Sequence, residues 1–209
     1  MDVVIATRNP HKFRELTTLL KVRGVRWRSL AEFPQAPSVE ERGRTFDANA
    51  AAKALTVARI TGCAALADDS GLEVDALQGR PGVRSARFAG RHGDDRANNE
   101  KLLQGLRHVP ASQRRARYRC SLALALPANG SRGSRVAALT RGLWQGRIAE
   151  RARGRGGFGY DPLFLVPRLG KTVGELPASV KARLSHRARA ALHMRARLAV
   201  MARSMGRAG

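Results

Sequence analysis

Short apolar runs alternate along the chain with amphipathic stretches, and the two periods can be told apart. Residues 2–6 (DVVIA) are apolar and mostly β-branched and stop at Thr7, Arg8, Asn9 and Pro10, as a buried strand running into a loop would. Over residues 11–21 the period changes: Phe13, Leu16, Leu19 and Leu20 fall on one face of a helix. Such a strand–loop–helix unit points its loop and helix N-terminus outward at the carboxyl end of the strand, where free N–H groups favour phosphate. Thr45 can cap a second helix that runs through alanine-rich turns to about Ile60, with Gly62 as its stop. Ala64–Ala67 predicts a short strand ending on Asp68-Asp69-Ser70-Gly71, after which Leu72-Glu73-Val74 resumes an alternating pattern.

Gly79, Pro81, Gly82 and Gly90 punctuate a loop-rich region, and residues 95–106 read as a helix. Residues 116–126 and 135–141 predict a hairpin about Pro127-Ala128-Asn129-Gly130, with 143–149 as a further strand. A glycine-dense loop, 154–161, precedes a terminal helix from Ser185 to about Met205, with Ala188, Ala191, Leu192, Leu198 and Ala202 turned inward. There is no internal repeat and no low-complexity linker. The sum is an α/β protein with a mixed sheet.

With 209 residues, 43% of them hydrophobic, the chain can bury a sizeable core as a single domain. Its two cysteines, Cys63 and Cys120, lie far apart and form neither a CxxC motif nor a Cys/His cluster, so neither a disulfide framework nor a zinc site is indicated, and a reducing cytosol is the natural setting. No basic leader opens the sequence and no apolar run approaches membrane-spanning length, so a cytoplasmic protein without membrane contact is expected. The net charge of +23 invites a nucleic-acid reading. The excess is nearly all arginine scattered through ordinary amphipathic segments, which favours a solvated surface over a dedicated polyanion site, and nucleic acid is not expected as a specific partner.

The acids are the more informative residues. Glu40, Glu41, Asp47, Asp68, Asp69, Glu73 and Asp75 crowd between positions 40 and 75, whereas residues 101–149 contain no Asp or Glu. Carboxylates amid cations are what a hard divalent metal on a phosphate needs: oxygen ligands for the ion, donors for the remaining phosphate charge. Five motifs could carry such chemistry. Thr7-Arg8-Asn9-Pro10-His11-Lys12 joins a hydroxyl, an amide and cations at a strand end, either as a grip on a triphosphate or as a helix cap with surface cations. Asn49 and Lys53, four apart, share a helix face; a snorkelling lysine beside a solvated amide gives the same pattern. Asp68-Asp69-Ser70-Gly71 can hold Mg²⁺ or activate a water through one aspartate, or form an Asx-turn with two solvated acids. Gly156-Gly157-Phe158-Gly159-Tyr160-Asp161-Pro162 offers backbone room and an aromatic face to a planar base, or is a tight loop on a core aromatic. Ser185-His186-Arg187 caps a helix and places two donors in its first turn, where cations oppose the helix dipole.

Taken in order, the strings ATRNPHKFREL, TFDANAAAKA, ADDSGLEVDALQGRPGVRSARFAG, GGFGYDPLF and SVKARLSHRARA make the sequence resemble the inosine/xanthosine triphosphate pyrophosphatase family over nearly its whole length. The resemblance implies an elongated two-lobed α/β fold with helices flanking a long mixed sheet, a central active-site cleft, a homodimer, Mg²⁺ as cofactor, and ITP, dITP and XTP as substrates. It implies phosphate contacts from Thr7, Arg8, Asn9, Pro10, His11, Lys12 and Lys53, and a substrate contact from Asn49 on the same face as Lys53. Asp69 would be general base and metal ligand, with Glu40 or Glu41, and Asp68, at the metal. Ser70 would touch substrate, and Phe158, Gly159, Tyr160, Asp161, Lys181, His186 and Arg187 would form the nucleotide and base pocket. Two positions depart from the family pattern: Ala48 replaces a frequent Glu, which leaves Glu40 and Glu41 as partners for Asp69, and Arg8 replaces a frequent Gly. Two rival readings stay open: a basic nucleic-acid-binding module built on the arginine-rich segments 107–155 and 176–209, and a pyrophosphatase for standard or pyrimidine triphosphates.

Overall fold

Strand β1 (Asp2–Ile5) is buried because both of its faces are apolar, and helix α1 (Pro10–Leu19) begins where Asn9 accepts the backbone N–H groups of His11 and Lys12, with Pro10 in the first turn. The computed structural model describes residues 1–36, 39 and 41–205. Then follow β2 (Arg26–Ser29), α2 (Phe46–Thr61), β3 (Ala64–Val74), α3 (Asp95–Gly105), β4 (Arg115–Leu126), β5 (Arg135–Ile148), β6 (Phe164–Val166), β7 (Lys171–Thr172), α4 (Ala178–Leu184) and α5 (His186–Met205). The strands form one mixed seven-stranded sheet in the order β2-β1-β3-β4-β5-β6-β7. β1 lies parallel to β2 and β3, and the β5–β6 and β6–β7 pairs are antiparallel.

The chain divides into two compact units: 1–69 with 120–142 and 187–209, and 70–119 with 143–186. In the first, strand alternation sorts the core into two layers. Val3, Ile5, Ala64, Leu66, Cys120, Leu122 and Leu124 share a core with Leu16 of α1, Leu20 just after it, and Ala190, Ala191, Met194 and Leu198 of α5. Val4, Ala65, Ala67, Ala123 and Ala125 meet Ala50, Ala54, Val57 and Ala58 of α2. Alanine on both sides of that second interface lets the helix backbone lie close to the sheet. The second unit has one core, with Leu72, Val74, Tyr118, Trp144, Ile148 and Phe164 from the strands around Leu102 and Leu106.

The structure corrects four expectations. Asp68-Asp69-Ser70-Gly71 is no turn at a strand end; it lies inside β3, an 11-residue strand. The segments 135–141 and 143–149 are one strand, β5. β2, β6, β7 and α4 had no counterpart in the sequence reading. Leu192 does not turn inward, being 64% exposed, while Ala190 and Met194 are fully buried.

Candidate active site

Successive side chains of a strand point to opposite faces, so the neighbours Asp68 and Asp69 answer to different partners, both within the first unit. On the face shared with α1 and α5, Asp68 is buried and takes Lys12 Nζ at 2.7 Å and Arg187 Nε at 3.0 Å. Arg187 is itself buried at the start of α5 and also pairs with Glu15 of α1. The thiol of Cys120 donates to Asp68 Oδ2 at 3.2 Å. Burial alone would raise the Asp68 carboxyl, but Arg187 and Lys12 outweigh it and hold it well below the usual carboxylate range. Cys120 is driven the other way, well above an ordinary thiol, by burial and by the anionic Asp68 beside it.

On the opposite face Asp69 meets α2. Lys53 Nζ lies 2.9 Å from Asp69 Oδ1 and 2.5 Å from Glu41 Oε1, so one ammonium bridges two carboxylates. Asn49, on the buried side of α2, donates to Asp69 Oδ2 at 3.1 Å. Burial raises the Asp69 carboxyl; Lys53 offsets this in part and Glu41 adds to it, so its affinity for a proton ends above the ordinary value. Lys53 is pulled down by burial, but Asp69 and Glu41 prevail and raise it, which keeps it a firm cation. Oxygen donors converging on one point suit a hard divalent cation, although no group of three His, Cys, Asp or Glu side chains gathers around a common point among the described residues. Glu40 lies outside the described residues.

The loop before α1 is organised chiefly by its own hydrogen bonds. Thr7 Oγ1 accepts the Asn9 N–H, the Asn9 side chain caps α1, and Pro10 opens the helix. Arg8 donates to the Ala36 carbonyl at 2.8 Å, and the exposed His11 lies 3.4 Å from Arg14. Lys12, by contrast, reaches across to Asp68 of β3.

The remaining candidates belong to the second unit. Asp161 Oδ2 accepts Lys181 Nζ at 2.7 Å and the Phe158 N–H at 2.9 Å, and Tyr118 Oη donates to its Oδ1 at 3.2 Å. Lys181 sits 4.4 Å over the Phe158 ring. Gly157, at a φ of +77°, must be glycine because a Cβ there would lie 2.0 Å from Asp161 Oδ2. Gly159 donates to Asp95 and accepts from Asn99. Tyr160 is a core residue whose hydroxyl donates to the Ser85 carbonyl at 2.9 Å. His186 stacks on Tyr118, with centroids 4.7 Å apart and planes 15° apart. Ser70 is half-buried on β3.

Two clusters therefore emerge. In the first unit Lys12 and Arg187 gather on Asp68 and Lys53, Glu41 and Asn49 on the neighbouring Asp69; in the second, Phe158, Asp161, Lys181 and His186 are gathered by Tyr118 and the glycine loop. Glu15, Gly43, Cys120, Tyr118, Asp95 and Asn99 were missed. Glu15 pairs with a residue 172 positions away, a contact no local pattern encodes.

The Ham1 family model matches residues 3–197. This chain belongs to the Ham1 family. Its relatives in that family include a dITP/XTP pyrophosphatase of Geobacillus kaustophilus, 49% identical over 90% of each chain. Another, of Desulforamulus reducens, is 52% identical over 91% of this chain and 92% of its own. Among solved structures, the HAM1 protein of Coxiella burnetii superposes with a TM-score of 0.83 at 37% identity, covering 95% of this chain and 98% of the other. The Staphylococcus aureus Ham1 protein gives 0.81 at 36% identity over the same shares. The mixed α/β sheet of this Ham1 chain is thus the architecture of solved members of its family.

Proposed function

We propose that the chain is a cytoplasmic, Mg²⁺-dependent nucleoside-triphosphate pyrophosphatase that hydrolyses ITP, dITP and XTP to the monophosphate and pyrophosphate, working as a homodimer. Support comes from relatives named dITP/XTP pyrophosphatases that match this chain along about nine-tenths of its length. The observation that carries the chemical part is the bridging of Asp69 and Glu41 by a single ammonium, Lys53. It marks a point where two carboxylates face a cation. Asp69 and Glu41 would hold Mg²⁺, which would supply Lewis-acid polarisation of a phosphate and of a bound water.

The chain's own side chains then have distinct tasks. Asp69, whose carboxyl burial has made a better proton acceptor, takes the proton of the attacking water as its oxygen bonds to the α-phosphorus. The bond from that phosphorus to the bridging oxygen breaks, and pyrophosphate leaves with the electron pair. Lys12 and Lys53 stabilise its charge, so the acceleration comes from positioning and electrostatics. For the base, hypoxanthine and xanthine present a 6-oxo acceptor where adenine presents a 6-amino donor. His186, its ring held flat against Tyr118, and Lys181 over Phe158 supply donors that favour the oxo form and leave buried groups unpaired when ATP enters.

The test is pyrophosphate release from ITP, dITP, XTP, GTP, ATP and CTP, with and without EDTA. ITP and XTP should lead, with no turnover in EDTA. Preference for ATP or CTP would transfer the chain to the class acting on standard or pyrimidine triphosphates. Asp69→Asn should lower turnover by about 10²-fold or more with the fold intact, and near-normal turnover would remove Asp69 from its role.

A further inference from the structure

Asn49 is 2% exposed on α2 and makes two hydrogen bonds in opposite senses. Its Oδ1 accepts the Gly43 N–H at 2.8 Å, and its Nδ2 donates to Asp69 Oδ2 at 3.1 Å. A backbone N–H can only donate, so the oxygen of the amide must face Gly43 and its NH₂ must face Asp69. Room for this approach depends on the absence of a side chain at position 43, where a Cβ would lie 2.5 Å from Asn49 Oδ1 and 3.1 Å from the Ala48 Cβ. The other oxygen of Asp69 takes Lys53 Nζ at 2.9 Å. Two residues one helical turn apart thus hold the carboxylate by both of its oxygens.

We propose that Asn49 is a positioning residue that acts through Asp69 and does not contact the nucleotide, with Gly43 locking its amide in the donating orientation. This rests on the role given to Asp69 above. The terminal torsion of an aspartate is broad, and a proton acceptor must sit within about 2.6–3.2 Å of its donor. A carboxylate free to turn about that bond spends most of its time pointing no lone pair at the water. Clamping both oxygens removes that freedom, and the Gly43 bond ties the clamp to the segment that carries Glu41.

Wild-type pyrophosphate release from ITP is measured first; its absence would sink the enzymatic reading, a failure separate from any that follows. Asn49→Ala should lower kcat by about 10²-fold and leave KM within about twofold, the loss expected from a catalytic group displaced by about 1 Å. Asn49→Asp keeps the shape but sets an acceptor against Asp69, and should lose at least as much. Gly43→Ala, which pushes on the amide without touching its chemistry, should reproduce the kcat loss with Asn49 present and add little in the Asn49→Ala background. Away from turnover, the Asn49 side-chain amide protons of the free protein should exchange slowly by NMR and faster in Gly43→Ala, with circular dichroism unchanged. A raised KM at unchanged kcat in Asn49→Ala would make Asn49 a substrate contact and overturn the proposal. So would additive effects of the two substitutions.

Discussion

A single peptide step separates Asp68 from Asp69, yet burial and partners send their carboxyls in opposite directions. Asp68 lies between Lys12 and Arg187 and is held anionic, whereas Asp69 shares one ammonium with Glu41 and keeps a raised affinity for protons. The first has the character of a structural anchor, and the second has the raised proton affinity that the proposed base would use. Arg187 tests the distinction, because its Nε and Nη1 donate to Asp68 and Glu15. Arg187→Met leaves a buried carboxylate with fewer counter-charges, a change that costs about 3–5 kcal/mol where a buried pair is broken. The expected result is a markedly lower Tm. The pH dependence has a defined sign. A carboxyl with a depressed folded-state pKa contributes stability above its unfolded pKa, and that contribution is lost as pH falls through the folded value. Arg187→Met raises the folded value, so acid unfolding should begin at higher pH than in the wild type. An unchanged Tm with an altered ITP over ATP ratio would instead make Arg187 a base contact.

At the scale of elements, α2 is the part on which the candidate site depends, since Asn49 and Lys53 reach Asp69 only because Ala50, Ala54, Val57 and Ala58 bury the rest of the helix against Ala65, Ala67, Ala123 and Ala125. Ala54 is fully buried, and Ala54→Leu would have to force the helix outward. Overpacking of this kind costs about 1–3 kcal/mol, so the urea midpoint should fall with m unchanged. Turnover should fall further than stability accounts for, because Lys53 moves with the helix; a stable variant with normal turnover would show that the alanine layer does not set the site. This helix was legible in the sequence from its Thr45 cap, alanine face and Gly62 stop, all of which the structure retains. β3 was only half legible. Aspartate, serine and glycine are depleted in strands, so local chemistry argued for a turn, and the sheet overrode it by placing β3 between β1 and β4. β2 reads RWRS and β6 has three residues, too polar or too short to show a period. The motifs named the charged residues of both clusters, but their pairings could not be read from order alone: Lys181 lies 20 positions from Asp161 and Arg187 119 from Asp68.

On the scale of the whole molecule the question is what a net charge of +23 does. Some of the cations are matched by acids and add nothing to that excess: Glu73 and Asp75 hold Arg117 and Arg119, Asp47 holds Arg141, and Asp68 and Glu15 hold Lys12 and Arg187. Much of the remainder lies on open surface, as along α5, where Arg189, Arg195, Arg197 and Arg203 are exposed. Recognition of single-stranded nucleic acid adds aromatic platforms to such cations, but among the described residues no aromatic ring stands exposed: Tyr118, Trp144, Tyr160 and Phe164 are buried in one core, and Phe13, Trp27, Phe88 and Phe158 are half-buried. Charge without stacking or base readout gives association by counterion release alone, which is independent of sequence and steeply salt-dependent. A mixed-sequence duplex should therefore bind this protein at about 50 mM salt and be released by about 200 mM, with equal affinity for unrelated sequences. Replacing Arg195, Arg197 and Arg203 together by glutamine should flatten the salt slope and leave kcat/KM for ITP unchanged, since α5 presents none of them to Asp68 or Asp69. Tight binding of one sequence that survives the higher salt would mean that the arginines form a dedicated site. In that case the acids of β3 would no longer account for what the protein does.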